Sequence, residues 1–129
     1  MSRVLLDSHL LLWAKLNPAR LPAPVRKLLL DPEVQPVFSV ASIWEIAIKQ
    51  SQGRPDFTVD AAVLRGHLLD TGYAEMPILG DHAMAVASLP PVHRDPFDRL
   101  LVAQAIVEGV ELLTVDAHLG RYPGPIRVF

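Results

Sequence analysis

The sequence predicts a three-layer α/β/α domain, with helices on both faces of a central, mainly parallel sheet of four or five strands. Short apolar runs, which indicate buried strands, alternate along the chain with longer amphipathic segments, which indicate helices. Such alternation of strands and helices favours a parallel sheet. The chain has 129 residues, half of them hydrophobic, which suits one compact core and is too short for two. Residues 1–129 are therefore expected to form a single domain.

The first half of the chain begins with a strand that leads directly into a helix. Residues 3–6 are a short apolar run, and Asp7 and Ser8 offer an N-cap for a helix over 9–16. The next segments are predicted from their apolar periodicity and from Gly and Pro breaks. They are a helix over 24–30, a strand over 35–40, a helix over 42–52, a loop over 53–56 and a helix over 60–70.

The second half contains the best-marked helix of the chain. Asp95 caps this helix, Pro96 occupies its first position and Gly109 ends it. The strand that follows ends at Asp116. The remaining predicted elements are a weak strand over 73–76, a helix over 81–89, the strand over 111–115, a turn over 117–120 and a final strand over 126–129.

Composition excludes several classes of protein and of site. The high apolar content excludes a disordered chain. Twelve basic and fourteen acidic residues give a net charge of −2, so a polyanion has to be bound locally and not by a general basic field. The absence of cysteine excludes disulfides, thiolate zinc sites, iron–sulfur clusters and cysteine nucleophiles.

The apolar opening of the chain is interrupted by Asp7, Ser8 and His9. It therefore lacks both the clean apolar core of a signal peptide and the length of a membrane span. We expect a cytoplasmic protein that has no contact with a membrane.

Four acidic residues stand at similar places relative to the predicted elements. Asp7 and Asp116 each follow a strand, whereas Glu45 and Asp98 each fall in the first turn of a predicted helix. In open parallel sheets, the carboxyl ends of the strands and the N-termini of the following helices share one rim, which is where such folds bind ligands. We therefore expect the four carboxylates to converge.

Convergence of carboxylates has an electrostatic cost. Two carboxylates about 5 Å apart repel by roughly 3 kcal/mol at an effective dielectric constant of about 20. A divalent cation relieves this repulsion, and hard oxygen ligands without Cys favour Mg²⁺ or Mn²⁺ over Zn²⁺. The sequence therefore predicts a Mg²⁺ or Mn²⁺ site.

Each acid also has a purely structural interpretation. Ser42 and Glu45 fit a capping box, in which the glutamate only satisfies a backbone N–H. Asp98 fits the acidic first turn of a capped helix, and Asp7 and Asp116 fit ordinary N-caps. Their joint placement, more than any single residue, favours a shared site.

Four segments together resemble a known family. They read VLLDSH at 4–9, SIWEIAIK at 42–49, HRDPFDRLLVAQA at 93–105 and LTVD at 113–116. In order and spacing, they resemble the PIN-domain ribonucleases, and most closely the VapC-like toxins of bacterial type II toxin–antitoxin modules. The Asp-Pro-Phe-Asp-Arg segment is the most specific of these motifs.

The resemblance implies roles for the four acids. Asp7, Glu45 and Asp98 correspond to the three core acids of the family, and Asp116 to a fourth, more variable one. Together they would bind Mg²⁺ or Mn²⁺ and serve as the catalytic residues for the hydrolysis of RNA phosphodiester bonds. Asp95 is assigned to capping. The family's usual Gly-Lys followed by Leu-x-Leu is replaced by GRPDF at 53–57, a departure that puts the conformation of this loop in question.

The resemblance also implies protein partners. It implies a homodimer and a cognate antitoxin that covers a hydrophobic groove, reaches the acidic site and inhibits the enzyme. The apolar helical stretches at 10–16 and 100–106 exceed what we expect one small core to bury, which agrees with a homodimer.

Basic residues flank the acidic motifs and are candidates for binding substrate phosphates. They are Lys49, Arg94, Arg99 and Arg121. Residues of this kind are more often solvated surface charges, and Lys49 and Arg99 are also placed to pair with acids of the motifs.

Histidine and tryptophan side chains near the motifs have mainly structural interpretations. His9, His93 and His118 lie beside acids in sequence, but no two have the helical spacing of a metal pair, so a proton relay or an RNA contact is the minority interpretation. Trp13 and Trp44 fit anchors of the core or of a subunit interface better than platforms for base stacking.

The alternative function is that of a non-catalytic PIN-like or receiver-like α/β module that binds a partner or accepts phosphate. Receiver domains also place acids at strand ends. They need an adjacent acidic pair after the first strand and a late lysine, whereas here Asp7 stands alone and no lysine follows Lys49.

Overall fold

The computed structural model describes residues 2–129, in which strands and helices alternate along most of the chain. The strands are β1 (Ser2–Leu6), β2 (Val34–Ser39), β3 (Ala74–Met76), β4 (Glu111–Thr114) and β5 (Ile126–Val128). The helices are α1 (Ser8–Leu16), α2 (Ala23–Leu30), α3 (Val40–Ser51), α4 (Ala61–Asp70), α5 (Gly80–Val86) and α6 (Pro96–Glu108). Short 3₁₀ turns at Pro18–Arg20 and Leu119–Arg121 complete the described elements.

The five strands form one sheet in the order β3-β2-β1-β4-β5, and every pairing is parallel. The predicted α/β class is therefore confirmed, with a sheet that is wholly and not only mainly parallel. From β1 the chain builds β2 and β3 on one side and then crosses to build β4 and β5 on the other. The direction of winding thus reverses between β1 and β4, which is where ligands bind in open α/β sheets.

The sheet is buried on both faces, as expected for parallel strands covered by helices. In β1, Val4 and Leu6 belong to one apolar cluster, whereas Leu5 between them belongs to a second cluster. The first cluster includes Leu10 of α1, and the second includes Leu101 of α6, both fully buried. The alternation of side chains along β1 therefore attaches helices to both faces of the sheet.

The caps of the best-marked helix are as predicted. The Asp95 carboxylate accepts hydrogen bonds from the N–H groups of Phe97 at 2.8 Å and Asp98 at 3.3 Å, so it satisfies donors that the first turn leaves free. At the other end, Gly109 adopts the left-handed conformation with φ 64°.

The predicted capping box at Ser42 and Glu45 is wrong. Strand β2 ends at Ser39, whose Oγ accepts from the N–H of Ala41 at 3.0 Å, so α3 begins at Val40. Ser42 therefore lies inside the helix, and Glu45 falls in the second turn and not in the first. Both Ser39 and Ser42 are residue types that favour N-caps, and the end of strand pairing at Ser39 decides between them.

Helix α5 is also shorter than predicted, because it ends at Val86 and not at residue 89. Within residues 2–129, none of the helices combines the length and the hydropathy needed to cross a bilayer.

Two glycine substitutions test the assigned end of α6, one at that end and one inside α4 as the control. Gly109→Ala is expected to lower the free energy of unfolding by about 1 kcal/mol, because alanine is strained at positive φ. Gly66→Ala, within α4 and with nothing within 4 Å of an added Cβ, is expected to raise it by about 0.5–1 kcal/mol. Urea denaturation of both variants checks this, and equal effects would contradict the assigned end of α6.

Candidate active site

Asp7 is held at the boundary between β1 and β4. Its side chain is 2% exposed. Oδ1 accepts from the N–H of Leu10 at 2.9 Å, which caps α1, and Oδ2 accepts from Oγ1 of Thr114, the last residue of β4, at 2.5 Å. Burial raises the pKa of Asp7 above its ordinary value, although both hydrogen bonds oppose this. The capping interpretation of Asp7 is therefore correct, and the same carboxylate also bridges two strands.

Asp116 is linked to Asp7 through the same threonine. Thr114 Oγ1 donates to Asp7 and accepts from the N–H of Asp116 at 3.0 Å. Asp116 Oδ1 lies 2.9 Å from the backbone N and 3.1 Å from the Nδ1 of His118. Burial works to raise the pKa of Asp116, but the hydrogen bonds from His118 and the charges of His118 and His93 hold it below its ordinary value. Asp116 therefore remains ionised more readily than Asp7 and Asp98, whose pKa values are raised.

Glu45 reaches the rim from α3. Its Oε1 accepts from Ser8 Oγ at 2.8 Å, and Ser8 Oγ lies 2.9 Å from Ser42 Oγ. Lys49, one turn further along α3, places Nζ 3.4 Å from Glu45 Oε2. Contacts from both α1 and α3 thus orient this carboxylate, although it does not lie in the first turn of its helix.

Asp98 lies in the first turn of α6, where the carboxylates converge. Burial raises its pKa to about 7, and the charges of the four neighbouring acids Asp95, Glu45, Asp7 and Asp116 act in the same direction. Each of these contributions requires proximity to Asp98. The structure therefore brings Asp7, Glu45, Asp98 and Asp116 to one rim of the sheet.

His93 lies between two of these acids. Its Nε2 is 3.8 Å from Asp98 Oδ2 and 3.6 Å from Asp116 Oδ2. Its Nδ1 accepts from the N–H of Asp95 at 3.0 Å, so the proton of the neutral ring is on Nε2 and faces the carboxylates. Sequence reasoning gave His93 low weight, and its position at the start of the 93–105 motif was the available signal.

The predicted phosphate-binding residues have different surroundings. Arg99 directs its guanidinium to the carbonyls of Pro90 at 3.0 Å and Val86 at 3.3 Å and to the hydroxyl of Tyr122 at 3.2 Å. It therefore holds the segment between α5 and α6 in place and makes no ion pair with the motif acids among the described residues. Arg94 is exposed beside the site, and Arg121 is exposed in the 3₁₀ turn that follows β4.

The remaining flanking side chains lie at the surface or outside the cluster. His9 is exposed on α1, and the guanidinium of Arg20 lies 4.6 Å from the Trp13 ring centroid. Trp44 is 54% exposed and lies outside the core. A cavity of about 710 Å³ at the amino ends of β1 and β4, lined in part by Arg3 and Glu111, contains none of the four acids.

Comparison with known proteins agrees with the predicted resemblance. Residues 4–125 match the family model described as the PIN domain. The chain belongs to the PIN-domain family. Over 135 aligned residues, covering 100% of both chains, this PIN domain is 31% identical to a protein named Ribonuclease VapC22 of Mycobacterium tuberculosis.

Two solved structures share the fold of this PIN domain. One is the structure of VapBC2 from Rickettsia felis bound to a DNA fragment from their promoter, with a TM-score of 0.73, 13% identity and 98% of each chain covered. The other is DNA-bound VapBC from Salmonella typhimurium, with a TM-score of 0.68, 16% identity, and coverage of 100% of this chain and 98% of that one. At these identities the likeness concerns the fold.

The donor set of this PIN domain fits a divalent cation. Ligand atoms of His93, Asp98 and Asp116 all lie within 4.8 Å of one another, and carboxylate oxygens suit Mg²⁺ or Mn²⁺. Burial raises the pKa values of Asp7 and Asp98, and the charges of neighbouring acids add to this effect, so keeping these carboxylates ionised at the rim has an electrostatic cost. A cation at this rim would lower that cost.

The raised pKa of Asp98 predicts a pH-dependent stability in the presence of EDTA. Because the pKa of about 7 in the folded protein exceeds the ordinary value of 3.8, stability contributed by this group is present at low pH and is lost as the pH rises from about 4 to 7. Asp98→Asn should raise the free energy of unfolding at pH 8 by about 2–4 kcal/mol, since one pKa unit corresponds to about 1.4 kcal/mol.

Urea denaturation at pH 5 and pH 8 measures this effect, with Asp70→Asn, an exposed acid at the end of α4, as the control. The gain in stability should appear at pH 8 and be smaller at pH 5. If wild type and Asp98→Asn showed an identical pH dependence of the free energy of unfolding, Asp98 would not be the source of that dependence.

Proposed function

We propose that this PIN domain is a metal-dependent endoribonuclease that hydrolyses RNA phosphodiester bonds and acts as the toxin of a type II toxin–antitoxin module. The observation that carries the proposal is the convergence of four carboxylates, from four separate segments of the chain, at one rim of the sheet. The full-length relative named as a ribonuclease supports it. A cytoplasmic site of action belongs to the same proposal, since RNA is the proposed substrate.

Asp7, Glu45, Asp98 and Asp116 are the proposed metal ligands and catalytic acids. Mg²⁺ is the proposed ion, with Mn²⁺ as a substitute, because the donors are oxygen atoms. When bound, the ion supplies polarisation of a phosphoryl oxygen and activation of water. The proposal therefore needs no nucleophile from the protein.

The side chains themselves orient the site and hold charge. Thr114 and the Leu10 N–H immobilise both oxygens of Asp7, and Ser8 orients Glu45. His93 presents Nε2 toward Asp98 and Asp116 and is proposed as a positioning residue that orients both carboxylates toward its N–H. These contacts hold the site in place before the substrate arrives, so that little reorganisation accompanies the reaction.

Substrate phosphates are proposed to contact Lys49, Arg94 and Arg121. Lys49 is paired with Glu45 and therefore lies beside the ligands, whereas Arg94 and Arg121 are exposed. The hydrogen bonds of Arg99 to main-chain carbonyls favour a positioning role over contact with RNA.

A cognate antitoxin is the proposed inhibitory partner. A cavity of about 530 Å³ between the end of α1 and α4 is lined in part by Leu16 and Val63, which are 57% and 69% exposed. This apolar groove is a candidate for the partner's contact. The homodimer remains a proposal with less support than the sequence implied, because Leu10, Leu11 and Leu101 are fully buried within this chain.

The receiver-like alternative is disfavoured by the environment of Asp7. A receiver needs an acidic pair directly after its first strand, whereas Asp7 is followed by Ser8, whose hydroxyl donates to Glu45 at 2.8 Å.

Asp98→Asn is expected to abolish RNA cleavage while leaving folding and antitoxin binding intact. The substitution keeps the shape of the side chain and removes the charge that holds the cation. Purified protein, a labelled RNA pool and gel analysis measure the loss, with Asp70→Asn as the matched control at full activity. Undiminished cleavage by Asp98→Asn would reject its role.

Removal of divalent metal is expected to silence the wild type. EDTA should stop cleavage, and Mg²⁺ or Mn²⁺ added in excess should restore it, because the excess negative charge at the rim otherwise repels the substrate phosphate. Time courses on the same RNA check this. Cleavage that persists after dialysis against EDTA would count against the mechanism.

A further inference from the structure

The backbone of His93 is fixed on both sides by one buried side chain. The His93 N–H donates to the Tyr122 hydroxyl at 2.8 Å, and this hydroxyl donates to the His93 carbonyl oxygen at 3.2 Å. Arg99 donates to the same hydroxyl at 3.2 Å and to the same carbonyl oxygen at 3.4 Å. Tyr122 is 4% exposed and belongs to the apolar cluster beneath α6. His93 therefore has a defined position, although it lies in the loop between α5 and α6.

The imidazole ring of His93 is held in one orientation. Its Nδ1 accepts from the N–H of Asp95 at 3.0 Å, and the ring of His118 packs edge-to-face against it with 6.0 Å between the centroids. Because a backbone N–H only donates, the lone pair of Nδ1 is used and the ring proton is on Nε2. Nε2 therefore offers no lone pair to a cation, although it lies close to oxygens of Asp98 and Asp116.

The Nε2–H of His93 lacks an acceptor within residues 2–129. Nε2 is 3.8 Å from Asp98 Oδ2 and 3.6 Å from Asp116 Oδ2, whereas N–H···O hydrogen bonds are about 2.7–3.2 Å long. Electrostatic attraction orients the two carboxylates, but neither of them completes a hydrogen bond. The side chain is 27% exposed, so a ligand can reach it. Several contacts of the chain thus hold in place a donor that is free to bind a ligand.

We propose that His93 is a catalytic residue whose Nε2–H donates to a non-bridging oxygen of the scissile phosphate. This assignment rests on the proposed nuclease function, and it adds a contact with the substrate to the positioning role of His93. The reacting phosphate has to lie beside the acids that hold the cation, and the N–H is directed between two of them, Asp98 and Asp116.

The chemistry of hydrolysis explains why a fixed donor is useful here. The oxygen of water forms a new bond to phosphorus, the bond to the leaving ribose oxygen breaks, and a proton of the water is replaced by one on the leaving oxygen. Negative charge on the non-bridging oxygens grows in the transition state, so the His93 N–H binds the transition state more tightly than the substrate. The Nε2 proton stays on the ring throughout.

Two substitutions separate the donor from the rest of the side chain. Glutamine places an amide N–H near the position of Nε2, whereas asparagine reaches only the position of Nδ1 and leaves no donor between the acids. His93→Asn should lower kcat by about 100- to 1000-fold at saturating Mg²⁺ with little change in KM, and His93→Gln should restore most of this loss. His67→Asn, an exposed histidine of α4, is the matched control and should retain the wild-type kcat.

Metal binding distinguishes a substrate contact from a role in holding the cation. Titration of Mn²⁺ without RNA, followed by electron paramagnetic resonance, should show that His93→Asn changes the affinity by less than about 10-fold, the smallest loss expected when a group that holds a metal ligand is removed. A larger loss of affinity would overturn the proposal. A defect in rate that disappears at saturating Mg²⁺ would also overturn it, because it would leave His93 with a positioning role only.

Sulfur substitution in the substrate tests the contact itself. The probe is an RNA with a single phosphorothioate at a bond that the wild type cleaves, separated into its two diastereomers, and sulfur accepts hydrogen bonds poorly. For one diastereomer, the ratio of the wild-type rate to the His93→Asn rate should fall toward about 1, since the contact is then already lost. An unchanged ratio for both diastereomers would overturn the proposal.

The wild type tests the assignment without any need for His93→Asn to fold. Long-range ¹H–¹⁵N spectra show which ring nitrogen carries the proton, and the signals of His93 are those missing from His93→Gln. Nε2 should remain protonated when Mg²⁺ is added, and its signal should shift when inorganic phosphate follows. Loss of the Nε2 proton on addition of Mg²⁺ would identify a metal ligand and overturn the proposal.

The two hypotheses fail in different ways. If the wild type does not cleave RNA with Mg²⁺, the nuclease function is rejected. If the wild type cleaves RNA and His93→Asn cleaves it at the same rate, only the catalytic role of His93 is rejected.

Discussion

The structure depends on holding mutually repulsive carboxylates at one rim of the sheet. Asp98 shows the cost most directly, because burial and four neighbouring acids raise its pKa to about 7. The fold holds the acids together despite this cost, because each acid belongs to a separate strand end or helix whose position is fixed by packing elsewhere. The excess charge that results is the property that makes the rim suitable for a divalent cation.

Short polar side chains connect these elements. The Thr114 hydroxyl joins the end of β4 to Asp7 after β1, and the Ser8 hydroxyl joins the start of α1 to Glu45 on α3. Arg99 fixes a longer segment, because its guanidinium donates to the carbonyls of Pro90 and His93. This segment positions the His93 side chain at the site. The rim is therefore organised by hydrogen bonds between elements, whereas its negative charge comes from the acids alone.

Charge is separated over a short distance in this molecule. On α3, Glu45 faces the acidic rim, and Lys49 one turn later lines a cleft that also contains Arg54 and Arg94. The net charge of −2 hides this arrangement, since it averages both regions. A polyanion that approaches the protein thus meets cations beside the acids that are proposed to act on it.

Sequence by itself determined the α/β class and the approximate bounds of nearly all elements, because apolar periodicity, capping and helix termination are local properties. For the same reason it placed Asp7 and Asp116 after strands and Asp98 at the start of a helix. Tertiary structure decided those features for which contacts between distant segments compete with local preferences. The end of strand pairing and burial against Gln104 made Ser39, and not Ser42, the cap of α3. The path of the chain before α6 turned Arg99 toward carbonyls and His93 toward the acids, and no local pattern specifies that path.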